Sequence, residues 1–285
     1  MFEKFILRSR VRCGTSLDEE DQMRLFDLPD AKELLRVYLS CWELCDRAKI
    51  KLLEQPYAKS LLKDVTFSEK LQLTFFRLSN AEQLVRVYIS EHPLCDEAVL
   101  KLLSLPDFRE LHDLYFSEWV CSEAVQLKML ELPNALQVMT WYLCERHFCI
   151  EAQLKLFELP NACEMVKRYI EYRRFAYVVE LKMFEQPYAK EFVSEYAVRY
   201  GISEEPELKL LEMPLTKDEL KKYISKHGLS KAGQLKLFKL PHTKELLEVL
   251  ILSKVKIYPK TLLKMLVLPY AKRLMRLYIL NNVKA

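Results

Sequence analysis

A proline that returns every 27 residues restricts this chain more than any other feature of its sequence. It stands at Pro29, Pro56, Pro106, Pro133, Pro160, Pro187, Pro214, Pro241 and Pro269, with Ser79 in its place once. From Ser79 to Pro241 every step is 27 residues, the step into Ser79 is 23 and the last step is 28. The surrounding pattern recurs with it, most completely as EAQLKLFELPNACEMVKRYI over Glu151 to Ile170. Self-similarity at this period marks a unit that cannot bury its apolar face alone and must stack on copies of itself.

Numbering each repeat from its proline separates two helices. Twelve residues before it is an apolar residue (Leu17, Leu44, Phe67, Leu94, Phe148) and next a small one (Asp18, Cys45, Ser68, Cys95, Ser122), often followed by acids such as Glu69 and Asp96. A side-chain acceptor followed by negative charge is a helix start signal. The first helix is expected to turn its apolar positions six, four, three and one before proline inward, for example Leu154, Leu156, Phe157 and Leu159. Proline itself suits the first turn of the second helix, where its missing N–H is not needed. That helix carries a one-face stripe two, five, six, nine and ten after proline, as in Ala162, Met165, Val166, Tyr169 and Ile170. The ninth position is Tyr in eight of ten repeats, which reads as packing with the hydroxyl reaching a partner at the core edge.

The expected fold is therefore all-α: a right-handed α-solenoid of about ten 27-residue helical hairpins. An N-terminal segment, residues 1–16, precedes a single repeat domain over residues 17–285. The second repeat lacks four residues near Asp64 to Phe67, about one helical turn, so a local irregularity is expected there. The repeated L-K-L-[LF]-E-L-P-x-A pattern resembles the short-period α-solenoids, HEAT-like and leucine-rich-variant repeat proteins, across residues 17–285. That resemblance implies a binding scaffold.

Charge and cysteine bound the partners. Net charge is +4 with both signs abundant, too mild to indicate nucleic acid by itself. No apolar run approaches the roughly 20 residues that span a bilayer, and MFEKFILRSRVRC lacks the apolar core of a signal peptide. The eight Cys stop at Cys163, unlike a secreted disulfide framework, so a cytoplasmic location is expected and no membrane partner.

The most regular polar column, five before proline, runs from Arg24 and Lys51 to Lys264 and would track phosphates if unpaired. Acids three residues later (Asp27, Glu54, Glu131, Glu158, Glu185, Glu212) make a balanced, solvated face the better reading. The outer face of the second helix is less balanced, with Arg36, Lys63, Lys190, Lys217, Lys221 and Lys244 as steering charges for an acidic protein or peptide. A nucleic-acid backbone is the alternative partner. Midway, Leu114, Leu136 and Trp141 interrupt the charges and are expected to form an apolar anchor patch, unless Trp141 tucks against a neighbouring repeat. His92, Cys95, Cys121, Cys144, His147 and Cys149 fall near the repeat junctions, but zinc needs ligands about 2.0–2.3 Å from one ion while stacked helices lie roughly 8–10 Å apart. No metal, cofactor or enzymatic activity is expected. At the C-terminal end Leu262 and Val267 replace polar positions and the final helix adds Leu277 and Leu280, which predicts self-association there, most simply a two-fold dimer.

Overall fold

The computed structural model describes residues 2–105 and 109–283, and every regular element among them is helical. The turn expected at Pro106 lies outside the described residues. The chain divides into two compact units, Met1–Cys149 and Ile150–Ala285. In each, short first helices alternate with longer second helices, and like packs on like. In the N-terminal unit Glu19–Leu25 lies on Asp46–Leu53 and Asp96–Leu103 on Glu123–Met129, while Ala81–Ile89, Arg109–Glu118 and Ala135–Glu145 form the second layer. In the C-terminal unit Val193–Tyr200, Lys217–His227, Thr243–Leu252 and Ala271–Val283 pack in succession. These two-layered helical units are compatible with an α-solenoid. The N-terminal segment is itself a helix, Phe2–Arg12, laid on Ala31–Leu39 with Leu7 and Val11 buried and Arg8 on the Asp30 carboxylate.

The second-helix stripe is buried as its spacing requires: Ala162, Met165, Val166, Tyr169 and Ile170 are all inside. Proline, however, precedes the helix instead of opening it. Pro29 follows Leu28, whose carbonyl accepts from the Ala31 N–H at 3.1 Å, and Asp30 sits at φ −103°, ψ 23°. This is a β-turn with proline where its fixed φ is favoured and a bridge-region residue after it. The same closure recurs at Ala58, Ala81, Ala135, Ala162, Ala189 and Ala271. The shortened second repeat gives two short 3-10 turns, Ala58–Ser60 and Leu62–Asp64, in place of a second helix, followed by a single-turn helix Glu69–Gln72. Losing one turn's worth of residues leaves too few to close successive i→i+4 bonds.

The first helix buries part of the expected stripe, Leu156 and Phe157, while Leu154 and Leu159 are half-buried and further positions go inside. Positions eight, seven and four before proline are inside, and the seventh is polar: Gln22, Gln72, Gln126, Gln153, Glu180, Glu207 and Gln234. Each glutamine works with both ends. The Gln22 amide N–H donates to the Leu17 carbonyl at 3.1 Å and to the Tyr38 hydroxyl at 3.3 Å, while its oxygen accepts from the Cys45 N–H at 2.7 Å. Gln72 repeats this with Phe67, Tyr88 and Cys95, and Gln126 with Cys121 and Cys149. The acceptor atom thus takes the N–H at the start of the next first helix. That explains the small-residue column more fully than side-chain capping does. Asp18, Ser122 and Ser230 cap through their side chains, whereas Cys45 and Cys95 are held through their backbone N–H. The tyrosine column packs as expected, its hydroxyls meeting this clasp at Tyr38, Tyr88, Tyr196 and Tyr223.

Removing a clasp strands a buried carbonyl and an N–H together. Each such group costs about 1–3 kcal/mol when left unsatisfied. Gln126→Ala is therefore expected to destabilise the N-terminal unit by about 2 kcal/mol or more in urea titration, an effect larger than the few lost methylenes explain.

Candidate interaction surface

The second-helix layer of each unit is a candidate binding face. In the N-terminal unit Arg36 and Lys63 are exposed; Arg36 reaches Glu33 at 3.5 Å, and no carboxylate among the described residues lies within ion-pair distance of Lys63. In the C-terminal unit Lys190 is exposed and lines an open groove of about 500 Å³ with Phe184, Pro187, Met213 and Pro214. Lys217, Lys221 and Lys244 are half-buried; Lys221 lies 3.9 Å from Asp218, and Lys244 sits over the Tyr270 ring at 6.0 Å. Part of the stripe is neutralised by the following repeat: Arg86 meets Glu110 at 2.7 Å and Lys167 meets Glu191 at 2.6 Å.

The apolar anchor patch is smaller than expected. Leu114 and Leu136 are half-buried on the packed helices Arg109–Glu118 and Ala135–Glu145, but Trp141 is only 9% exposed. Its indole lies 4.8 Å from the His112 imidazole, centroid to centroid. His112 occupies a position that is Leu, Val or Met in other repeats and is wholly buried; its Nε2 meets the Leu102 carbonyl at 2.9 Å and its Nδ1 has no partner. A flat ring beside a flat ring fills that space, so the tryptophan serves packing and is not a surface anchor. Burial holds the His112 imidazole below its ordinary value, keeping it neutral.

Two members of the clasp column are acids. Glu180 accepts from the Tyr196 hydroxyl at 2.8 Å and from Arg174 Nε at 3.0 Å, so its charge is matched. Where the C-terminal unit's next repeat would supply an arginine stands Gly201. Glu207, 4% exposed, instead accepts from the Ser230 N–H, the Ser230 hydroxyl at 2.6 Å and the Tyr223 hydroxyl at 3.3 Å. Gly233 makes room for it, since a Cβ there would stand 1.9 Å from Glu207 Oε1. Burial without a cation pushes the Glu207 carboxyl above the usual range.

The column five before proline is balanced, as expected, but largely across repeats. Lys51 reaches Asp27 at 3.1 Å and also the Met23 carbonyl, Lys209 reaches Glu185 at 4.0 Å, and Lys236 pairs with Glu212. The helical spacing that suggested pairs within one helix holds for Lys182 and Glu185. Sequence spacing gave no sign of another column, thirteen after proline, whose side chains reach the carbonyls ending the previous second helix. Trp42 donates to Gly14, Trp119 to Ile89 at 2.7 Å, Arg146 to Phe116, Tyr200 to Ile170, while His92 meets Lys63 and His227 meets Val198. The donors differ chemically, and only their shared target makes them one column. It also gives His92 a structural partner, and Cys121 is buried, its thiol pushed up to about 12.

Of the C-terminal residues expected to self-associate, Leu262 and Leu277 are half-buried, Leu280 is exposed and Val267 is 82% exposed. No described helix is long and apolar enough to cross a membrane. Comparison of the chain with known families, with curated proteins and with solved structures finds no match.

Two measurements test these assignments. Trp141→Ala is expected to cost about 3 kcal/mol of folding stability, the range for emptying a buried aromatic site; an unchanged melting temperature would return it to the surface. For Glu207 the folded value lies above the unfolded one of about 4.3. Its contribution is therefore complete below about pH 4 and is lost as pH rises through the folded value. Glu207→Gln should raise stability at neutral pH and lose that advantage toward pH 4, read from urea midpoints across the range.

Proposed function

We propose that this chain is a non-enzymatic scaffold, a right-handed α-solenoid of about ten repeats that binds an acidic protein or peptide on its second-helix face. The observation that carries the reading is uncompensated positive charge on that layer. Lys63 stands exposed in one unit, and in the other Lys190 stands exposed on a Phe- and Met-lined groove. From Lys217 to Lys284 sixteen Lys and Arg face four Asp and Glu. A packing role for interior polar groups supports the non-enzymatic reading: Glu180 holds Tyr196, Glu207 holds Ser230, and His227 Nε2 meets the Val198 carbonyl. The same charge supports a second reading, sequence-nonspecific nucleic-acid binding.

Salt separates the two. A phosphate tracker loses affinity steeply and linearly in log–log form as counterions are re-bound, whereas an apolar-anchored peptide loses much less. Reversing Lys190, Lys217, Lys221 and Lys244 together to Glu is expected to weaken capture of partner proteins from the native source at least tenfold. Retention of duplex DNA or RNA by the unaltered chain at low salt, with no protein captured, would replace the first reading by the second.

A further inference from the structure

The cross-repeat ion pairs have a register that the C-terminal end of the chain abandons. Bases five before proline meet the acid two before the previous proline at Lys51 with Asp27, Lys209 with Glu185 and Lys236 with Glu212. That acid is missing at Arg77 and Ser104 in the third and fourth repeats, and again at Lys239 in the ninth and Val267 in the tenth. Lys264 consequently has no carboxylate within ion-pair distance among the described residues and lies over the Phe238 ring at 5.6 Å. After Glu248 there is no acid at all, against eight bases. Seven of these, Lys254 to Arg276, are described and all are exposed; Arg273 has the Glu248 carboxylate at 2.9 Å.

The same hairpin, Pro259–Leu266 and Ala271–Val283, exposes large apolar side chains: Leu263 at 65%, Leu266, Val267, Ile279 and Leu280. With Thr261 and Met265 buried, the helical period puts Leu263, Leu266 and Val267 together on the outward arc, with Lys260 and Lys264 along one flank. On the following helix Leu274 is buried, which places Lys272, Arg276, Ile279 and Leu280 outward together.

We infer that this hairpin is a docking surface for an acidic amphipathic helix of a partner protein, whose apolar side lies on Leu263, Leu266 and Val267 while its carboxylates reach Lys260, Lys264, Lys272 and Arg276. The inference rests on the reading of the chain as a protein-binding scaffold and gives that partner a place and a chemistry. Charge decides among occupants. A second copy paired two-fold through this face would set the same cations against themselves, and like charges across an interface are strongly disfavoured. A nucleic-acid backbone would answer the lysines and leave five exposed apolar side chains without a partner. An anionic lipid surface would draw on aromatic rings, and here the Tyr258, Tyr270 and Phe238 faces are already covered by Lys256, Lys244 and Lys264.

The test titrates the full chain against a fluorescent Leu/Glu heptad peptide, the same peptide with Lys for Glu, phosphatidylserine vesicles and duplex DNA. The acidic peptide should bind and the basic one should not. Leu263→Glu with Val267→Glu should weaken binding at least tenfold, and Lys260→Glu with Lys264→Glu should do likewise, with helical circular dichroism unchanged because all four side chains are exposed. Equal binding of a sequence-scrambled acidic peptide, or indifference to Leu263→Glu with Val267→Glu, would overturn the inference. So would binding to vesicles or DNA alone, or a dimer mass in light scattering that these variants dissolve. If partner capture from the native source persists in the hairpin variants, this site falls while the scaffold reading stands; if the unaltered chain captures no protein at all, both fall.

Discussion

A buried carboxamide between helices must satisfy a donor and an acceptor at once, and the rest of this structure follows from where it finds them. In the intact repeats the glutamine donates to the loop carbonyl that precedes its own helix and accepts from the N–H that starts the next first helix. Helix starts leave N–H groups without intrahelical partners, and a carbonyl at a buried bend has the same need. Apolar packing alone would let neighbouring hairpins slide, because burial is not directional. The clasp fixes their register, and the tyrosine hydroxyl meeting it ties the second helix to the same point. Donors thirteen after proline do the equivalent at the other helix ends.

One departure from the clasp coincides with a departure from regularity, whereas buried Val99 takes the same position in the regular helix Asp96–Leu103. Lys49 takes the glutamine position in the shortened second repeat and leans toward Glu43 at 3.7 Å, and there the second helix gives way to 3-10 turns. Glu180 keeps its charge matched by Arg174, while Glu207 keeps the hydrogen bonds and lacks the cation. In the last hairpin the seventh position before Pro269 is Leu262, which has no polar atom to form the clasp, and its neighbour Thr261 is buried with an unpartnered hydroxyl. The polar bonds between repeats therefore thin out toward the C-terminal end, where the ion-pair register also fails and apolar side chains come to the surface.

The sequence by itself determined the helical class, the inward stripe of the second helix and the tyrosine packing. Each is a matter of periodicity: apolar side chains at i, i+3, i+4 and i+7 can share one face only in a helix. It also pointed to the irregular second repeat, since four missing residues remove one turn. What it could not yield was the role of a polar residue placed among apolar ones. A glutamine recurring seven before proline has no reason to be inside until a second helix start, 23 residues on, supplies an N–H for it. Trp141 shows the same limit. Its position on the helix resembled an exposed one, and only the His112 ring on the neighbouring helix made it interior. Charge divided likewise: the columns were legible as columns, but which lysines are neutralised depends on carboxylates one repeat away, a distance that only tertiary packing closes.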